Sequence, residues 1–181
     1  MDLPGSSMKR VQVRLHQLSP PAVPQAEDYD SSVTWLGDLT PFAAQRGTGL
    51  PKPVFRKDMG FDESPIRLGS QVFTKGLGCA ANTVVVYELK GEFDRFKATV
   101  GVDASVAGMT NPPPSVFFTA FVDGLLRFES GPMIGHTPPP EVNADVHHAQ
   151  MLMLRQPVTG MTMAGRRTIT AMGLMRGLSA D

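Results

Sequence analysis

Short runs of alternating hydrophobic and polar residues, separated by glycine and proline, dominate the chain from about residue 66 onward. Phe96, Ala98, Val100 and Val102 alternate with Lys97, Thr99 and Gly101, the period of a strand with one dry and one wet face. Val142, Ala144 and Val146 repeat the pattern against Asn143 and Asp145. The run TVVVYEL at 83–89 is rich in β-branched residues and predicts a buried strand. Ile66, Leu68, Val72 and Phe73 flank Gly69 as a hairpin would. Two apolar runs meet at Asp123-Gly124, a strong hairpin signal, and QMLML supplies one more strand. About seven or eight short strands at this spacing predict an all-β fold, an antiparallel sandwich or jelly roll.

The first part of the chain reads differently. A short alternating piece (Val11, Val13, Leu15) is followed by SPPAVPQAEDYDSS, a composition that cannot build a core. Residues 1–32 are therefore expected to be a flexible linker. Val33, Trp35 and Leu36 give the first strong apolar signal and mark the start of the ordered domain. The segment from Pro41 to Ser64 lacks periodicity and predicts an extended surface loop.

Composition narrows the function classes. A length of 181 residues, 41% of them hydrophobic, suits one domain with tails. Lysine plus arginine and aspartate plus glutamate number 17 each, so no electrostatic footprint calls for nucleic acid or a membrane surface. No stretch approaches the roughly 18 apolar residues of a membrane helix, and the first residues hold no apolar signal core. As written, the chain is expected to stay in the cytoplasm. Cys79 is the only cysteine; its small neighbours suit packing, and no internal disulfide can form.

Catalytic chemistry finds little support. GLGC at 76–79 lacks the Lys-Ser/Thr pair of a phosphate loop. Cys79, His147 and His148 share no signature of a nucleophile and its base. Adjacent strand residues point to opposite faces, so the two histidines are not expected to share a metal. The acids at 88, 92, 94, 103, 123 and 129 fall at turns or on wet strand faces, and none is singled out as half of a glycosidase pair. The chain is expected not to be an enzyme.

Several motifs in order carry a resemblance. WLGDL, IRLGSQVFTKGLG, YELKGEFDRFKATVGVD, SVFFTAFVDGLLRFESGPM and VNADVHHAQMLML together resemble the NPCBM family, carbohydrate-binding modules attached to glycoside hydrolases. The resemblance covers residues 33 to 154 and implies a galactose-binding-like β-sandwich. It implies a non-catalytic role: recognition of galactose-type or related glycans as part of, or derived from, a larger glycosidase. It implies an extracellular or periplasmic setting, which contrasts with the unexported chain as written. It also admits a structural calcium. Lys75, Asn82 and Asp103 are the candidate sugar contacts, and Trp35 suits a core role better than sugar stacking. The alternative is a degenerate sandwich serving protein interaction or structure, or a fragment without sugar affinity.

Two departures bear on that alternative. Ala80 stands where the family has histidine after Gly-Leu-Gly. The family also closes with an acidic glycine loop and a strand resembling Asp-His-Ala-Asp-Trp-Ala-Asp-Ala-Arg-Leu, whereas residues 155–181 form a basic tail. Six of the 11 methionines lie between Met151 and Met175. Reading the codons of Thr159 to Gly165 from each third base can encode Asp-Gly-Asp-Asp-Asp-Gly. The same shift over Ala171 to Gly177 can encode Asp-Gly-Ala-Asp-Ala-Arg. A frameshift near residues 153 to 158 is therefore expected, together with a sandwich lacking its last strand and exposing an edge. Resequencing the coding DNA across residues 150 to 181 checks this: the expected result is one inserted or deleted base that restores the acidic ending.

Overall fold

The computed structural model describes residues 33–45, 55–60, 62–80, 82–106, 115–159, 169–173 and 178–179. The linker expected at 1–32 lies outside the described residues. In chain order the strands are β1 (Val33–Thr34), β2 (Ala43–Gln45), β3 (Phe55–Lys57), β4 (Ile66–Leu68), β5 (Gln71–Phe73), β6 (Gly76–Ala80), β7 (Val84–Glu88) and β8 (Arg95–Thr99). There follow β9 (Ser115–Val116), β10 (Thr119–Val122), β11 (Leu125–Glu129), β12 (Glu141–Asp145), β13 (Met151–Arg155), β14 (Val158–Thr159), β15 (Ile169–Gly173) and β16 (Leu178–Ser179). Two 3₁₀ turns, Leu36–Asp38 and Ala104–Val106, are the only helical pieces among the described residues.

One layer is the antiparallel sheet β11-β10-β13-β7-β2. Its register aligns apolar side chains in rows: Ala120, Leu154 and Val85 form one, and Val122, Leu152 and Tyr87 the next. All six are buried. The opposing layer contains β1-β16-β8-β12 and, beside β8, the sheet β15-β6-β3. Phe96 pairs with Ala144 and Ala98 with Val142, and these four, with Leu77 and Cys79 of β6, complete the same core. Alternation is the reason: every second residue of β7, β8, β10, β12 and β13 points inward. A smaller cluster of Ile66, Leu68 and Phe73 holds the β4–β5 hairpin.

The hairpins obey local turn chemistry. Asp123 and Gly124 both take positive φ, 49° and 80°, the conformation of a type I′ turn whose twist matches the strands it joins. The Asp123 carboxylate also accepts the amides of Gln150 and Met151, at 3.0 and 2.8 Å, so one side chain fixes β13 against the hairpin. Gly69, at φ 60°, turns β4 into β5 as its position in the sequence predicts.

Two expectations differ from what is observed. The supposed loop from Pro41 to Ser64 contains β2, paired with β7, and β3, paired with β6. All three residues of β2 are exposed, so they carry no alternating signal; backbone bonding alone makes the strand. The edge expected to stand open after Leu154 is also paired, since β15 lies against β6 and β16 against β1 and β8. Ladder bonds use groups that every non-proline residue offers, so an atypical side-chain sequence can still occupy the position.

Tyr87 exposes a weakness in the core. Its hydroxyl is fully buried without a hydrogen-bond partner among the described residues, and burial raises the phenol above its ordinary pKa, with buried Cys79 adding to the effect. An orphaned buried polar group costs about 1–3 kcal/mol. Tyr87→Phe is therefore expected to leave the melting temperature unchanged or to raise it; a clear fall in thermal denaturation would show that the hydroxyl is satisfied.

Candidate functional site

The chain enters β6 at Lys75 and leaves it through Asn82, so these two candidate contacts lie at opposite ends of a five-residue strand, roughly 17 Å long. They cannot grip one sugar ring together. Lys75 is committed elsewhere: its Nζ lies 3.0 Å from Asp58 Oδ2 and 3.9 Å from Asp38 Oδ1. Asp58 also accepts the Gly76 amide at 3.1 Å, while Asp38 meets Lys57. The hydrogen bond from Lys57, helped by the charge of Lys75, holds the Asp38 carboxyl below its usual range. This cluster ties the first 3₁₀ turn, β3 and the start of β6 together.

Asp103 is inaccessible. It is 1% exposed, and its two oxygens accept the amides of Arg67 and Ser105, both at 2.9 Å. A carboxylate enclosed in this way organises backbone, here joining β4 to the second 3₁₀ turn, and does not meet a sugar. The expected contact at Asp103 is corrected on that ground.

Asn82 is the exposed member of the trio. It adopts φ 60°, a left-handed conformation that asparagine tolerates better than most residues. Its amide donates to Gln156 O at 2.8 Å, Gln156 N donates to Thr83 O at 3.0 Å, and Thr83 Oγ1 donates to Ala80 O at 2.6 Å. The β6–β7 turn is thus clamped to the connection following β13, and the Asn82 side chain is held on a fixed backbone. Pairings of Gln45 with Val84, Phe55 with Cys79, Ser115 with Thr159 and Ile169 with Ala80 bring the ends of several connections to this rim. Ala80, in the place of the family's histidine, is 1% exposed.

Beneath the rim, Gln156 is buried with neither side-chain amide atom hydrogen-bonded to a nitrogen or oxygen among the described residues. Burial pushes the Cys79 thiol up to about 12, with the Gln156 side chain acting in the opposite direction. Cys79 is therefore a protonated core residue at neutral pH, not a nucleophile. Sequence reading passed over Gln156 and Asp58: neither stands in a periodic run or a motif, and their roles arise from contacts across the fold.

The remaining candidates do not assemble a reactive centre. His147 and His148 lie in the turn after β12 with ring centroids 3.7 Å apart; His147 Nδ1 meets Asp94 and its backbone amide donates to Asp145. Trp35 is half-buried before the first 3₁₀ turn and stands outside the main core cluster. Calcium needs six to eight oxygen ligands, and among the described residues no three acids, histidines or cysteines converge.

Comparison with known proteins completes the picture. The NPCBM/NEW2 domain model matches residues 32–165. No curated protein sequence matches the chain. Among solved structures, the chain is similar to the CBM51-2 and INT domains of Clostridium perfringens ZmpB, with 30% identity and a TM-score of 0.67 over 81% of this chain. It spans 32% of that solved chain's length. A CBM51 from Clostridium perfringens GH95, solved with methyl-galactose, is 27% identical with a TM-score of 0.66; the match covers 79% of this chain and 99% of that module. Tandem CBM51 modules of a family 98 glycoside hydrolase from Streptococcus pneumoniae share the fold, with a TM-score of 0.70 at 20% identity. The chain belongs to the NPCBM/NEW2 domain family and is a non-catalytic carbohydrate-binding β-sandwich module.

Proposed function

We propose that the module binds galactose-type glycans at the β6–β7 rim, with Asn82 as the contacting side chain, and directs a larger glycoside hydrolase to its substrate outside the cell. The observation that carries this reading is the match over 99% of a module solved with methyl-galactose. A related CBM51-2 was solved with GlcNAc, which makes N-acetylglucosamine the competing ligand. The chemistry at the rim agrees. A carboxamide offers two donors and an acceptor, the complement of adjacent sugar hydroxyls, and the clamped backbone lowers the ordering cost of binding. Balanced charge gives no reason to expect nucleic acid as a partner.

One neutral site on a shallow rim binds weakly, with Kd on the order of 1 mM, or about 4 kcal/mol. Calorimetry or NMR titration with methyl-galactose is expected to saturate in that range. Asn82→Gly keeps the left-handed backbone and removes the amide, so it is expected to weaken binding about tenfold, or 1.4 kcal/mol. Absence of saturation by either methyl-galactose or GlcNAc in the folded module would favour an interaction or structural role. Asp103→Ala is expected to act on stability instead, costing about 1–3 kcal/mol by orphaning backbone amides, which thermal melting reads independently of sugar.

A further inference from the structure

The wet face of the β8–β12 pair forms the floor of a second concavity. With Phe96, Ala98, Val142 and Ala144 buried in the core, alternation places Lys97, Thr99, Glu141 and Asn143 on the opposite face. Register sets Lys97 across from Asn143 and Thr99 across from Glu141, with cross-strand Cβ atoms about 4.5–5.5 Å apart. The β4–β5 hairpin rises beside them and contributes Gln71 and Phe73. Together they enclose an open groove of about 490 Å³, within the roughly 300–1,000 Å³ typical of ligand sites.

Several charged side chains elsewhere on the molecule are tied to partners. Lys57, Lys75, Asp38, Asp58 and Asp123 are all engaged in ion pairs or hydrogen bonds. Gln71, Lys97, Thr99, Glu141 and Asn143 make no side-chain hydrogen bond or ion pair among the described residues. Two carboxamides, a hydroxyl, an ammonium and a carboxylate thus converge with their bonding capacity open to a ligand. Phe73 packs against Ile66 and Leu68 yet stays half-buried, leaving ring surface for the apolar face of a sugar.

We propose that this groove is a second glycan-binding site, distinct from the rim, that takes an internal stretch of a linear, neutral oligosaccharide. One cation and one anion cancel, which disfavours a polyanion such as nucleic acid. The floor is a sheet face, not a strand edge, so it offers no backbone ladder to an extended peptide. Donors and acceptors in balance beside one ring fit a polyhydroxylated chain, and an open groove lets that chain continue at both ends. The inference rests on the reading of the chain as a glycan-binding module.

Backbone NMR of the whole chain distinguishes the two sites. Methyl-galactose, β-1,4-galactotetraose and chitotetraose are titrated separately. A tetramer is expected to shift the amides of Lys97, Thr99 and Asn143, and the double variant Lys97→Ala/Asn143→Ala is expected to weaken that binding about tenfold. Glu141→Ala, at the exposed start of the edge strand β12, gives the same reading should the double variant lose its native spectrum. Tetramer shifts confined to the β6–β7 rim, no tetramer shifts at all, or variants that bind as tightly as wild type would overturn the groove. Shifts near Asn82 with methyl-galactose but none in the groove with either tetramer sink this inference alone; groove shifts with a tetramer but none near Asn82 with any of the three sugars sink the rim reading alone.

Discussion

The molecule depends on the register that stacks Val122, Leu152 and Tyr87 in one row and Ala120, Leu154 and Val85 in the next. Facing strands supply Phe96, Ala98, Val142 and Ala144 to meet them. Burying a large apolar side chain contributes about 1.5–3 kcal/mol, so the rows supply much of the drive to fold. A slip of one residue in any of these strands would turn its whole apolar set toward water. The Asp123-Gly124 turn opposes slippage twice, through its backbone conformation and through the carboxylate that takes the first amides of β13. The wet faces are fixed by the same register, because a residue's side follows from its neighbour's.

Turns carry much of the remaining specification. Asp58, Asn82, Lys90, Asp123 and His148 all adopt positive φ without being glycine, and aspartate and asparagine are among the residues that tolerate it best. At Asp58 the conformation accompanies a bridge to Lys75 and Gly76. At Asn82 it accompanies a backbone clamp to Gln156 and leaves the side chain outward. One backbone geometry therefore serves as a fastening in one place and as a presentation of polar chemistry in another. Partners, not φ, separate the two uses.

That distinction sets how much could be read from sequence. The strands with clean alternation, β8 and β12, and the hairpin turns at Gly69 and Asp123-Gly124 were legible, because their signals lie within a few residues. β2 and β3 were not, since Ala43–Gln45 is wholly exposed and the segment is broken by glycine and proline. The candidate site fared worse for a related reason. Lys75 meets Asp58 across 17 residues and Asp103 meets Arg67 across 36, so whether such a charge is open to a ligand is decided by distant contacts. The groove shows both sides of this. Its floor follows from the alternation of Lys97 and Thr99, but nothing in the chain's local pattern announces that Gln71 and Phe73 stand over it.

The separation of dry and wet faces also bears on how such a module could hold a glycan. A β-sandwich has no deep cavity to spare, because its core is filled by the rows that stabilise it; the small gap among Phe96, Val100, Phe118 and Phe128 is apolar and too narrow for a sugar. Recognition must then use rims and sheet faces, where each contact competes with water and single-site affinity stays low. Two shallow sites on one rigid body change that arithmetic. Once one is occupied, the other meets its segment of the same chain at an effective concentration that can reach millimolar, comparable to the weak Kd of a single rim. Rigidity is what makes the gain usable. The register that keeps Leu152 dry also fixes the β6–β7 rim relative to the β8–β12 face, the geometry that the two proposed sites would share.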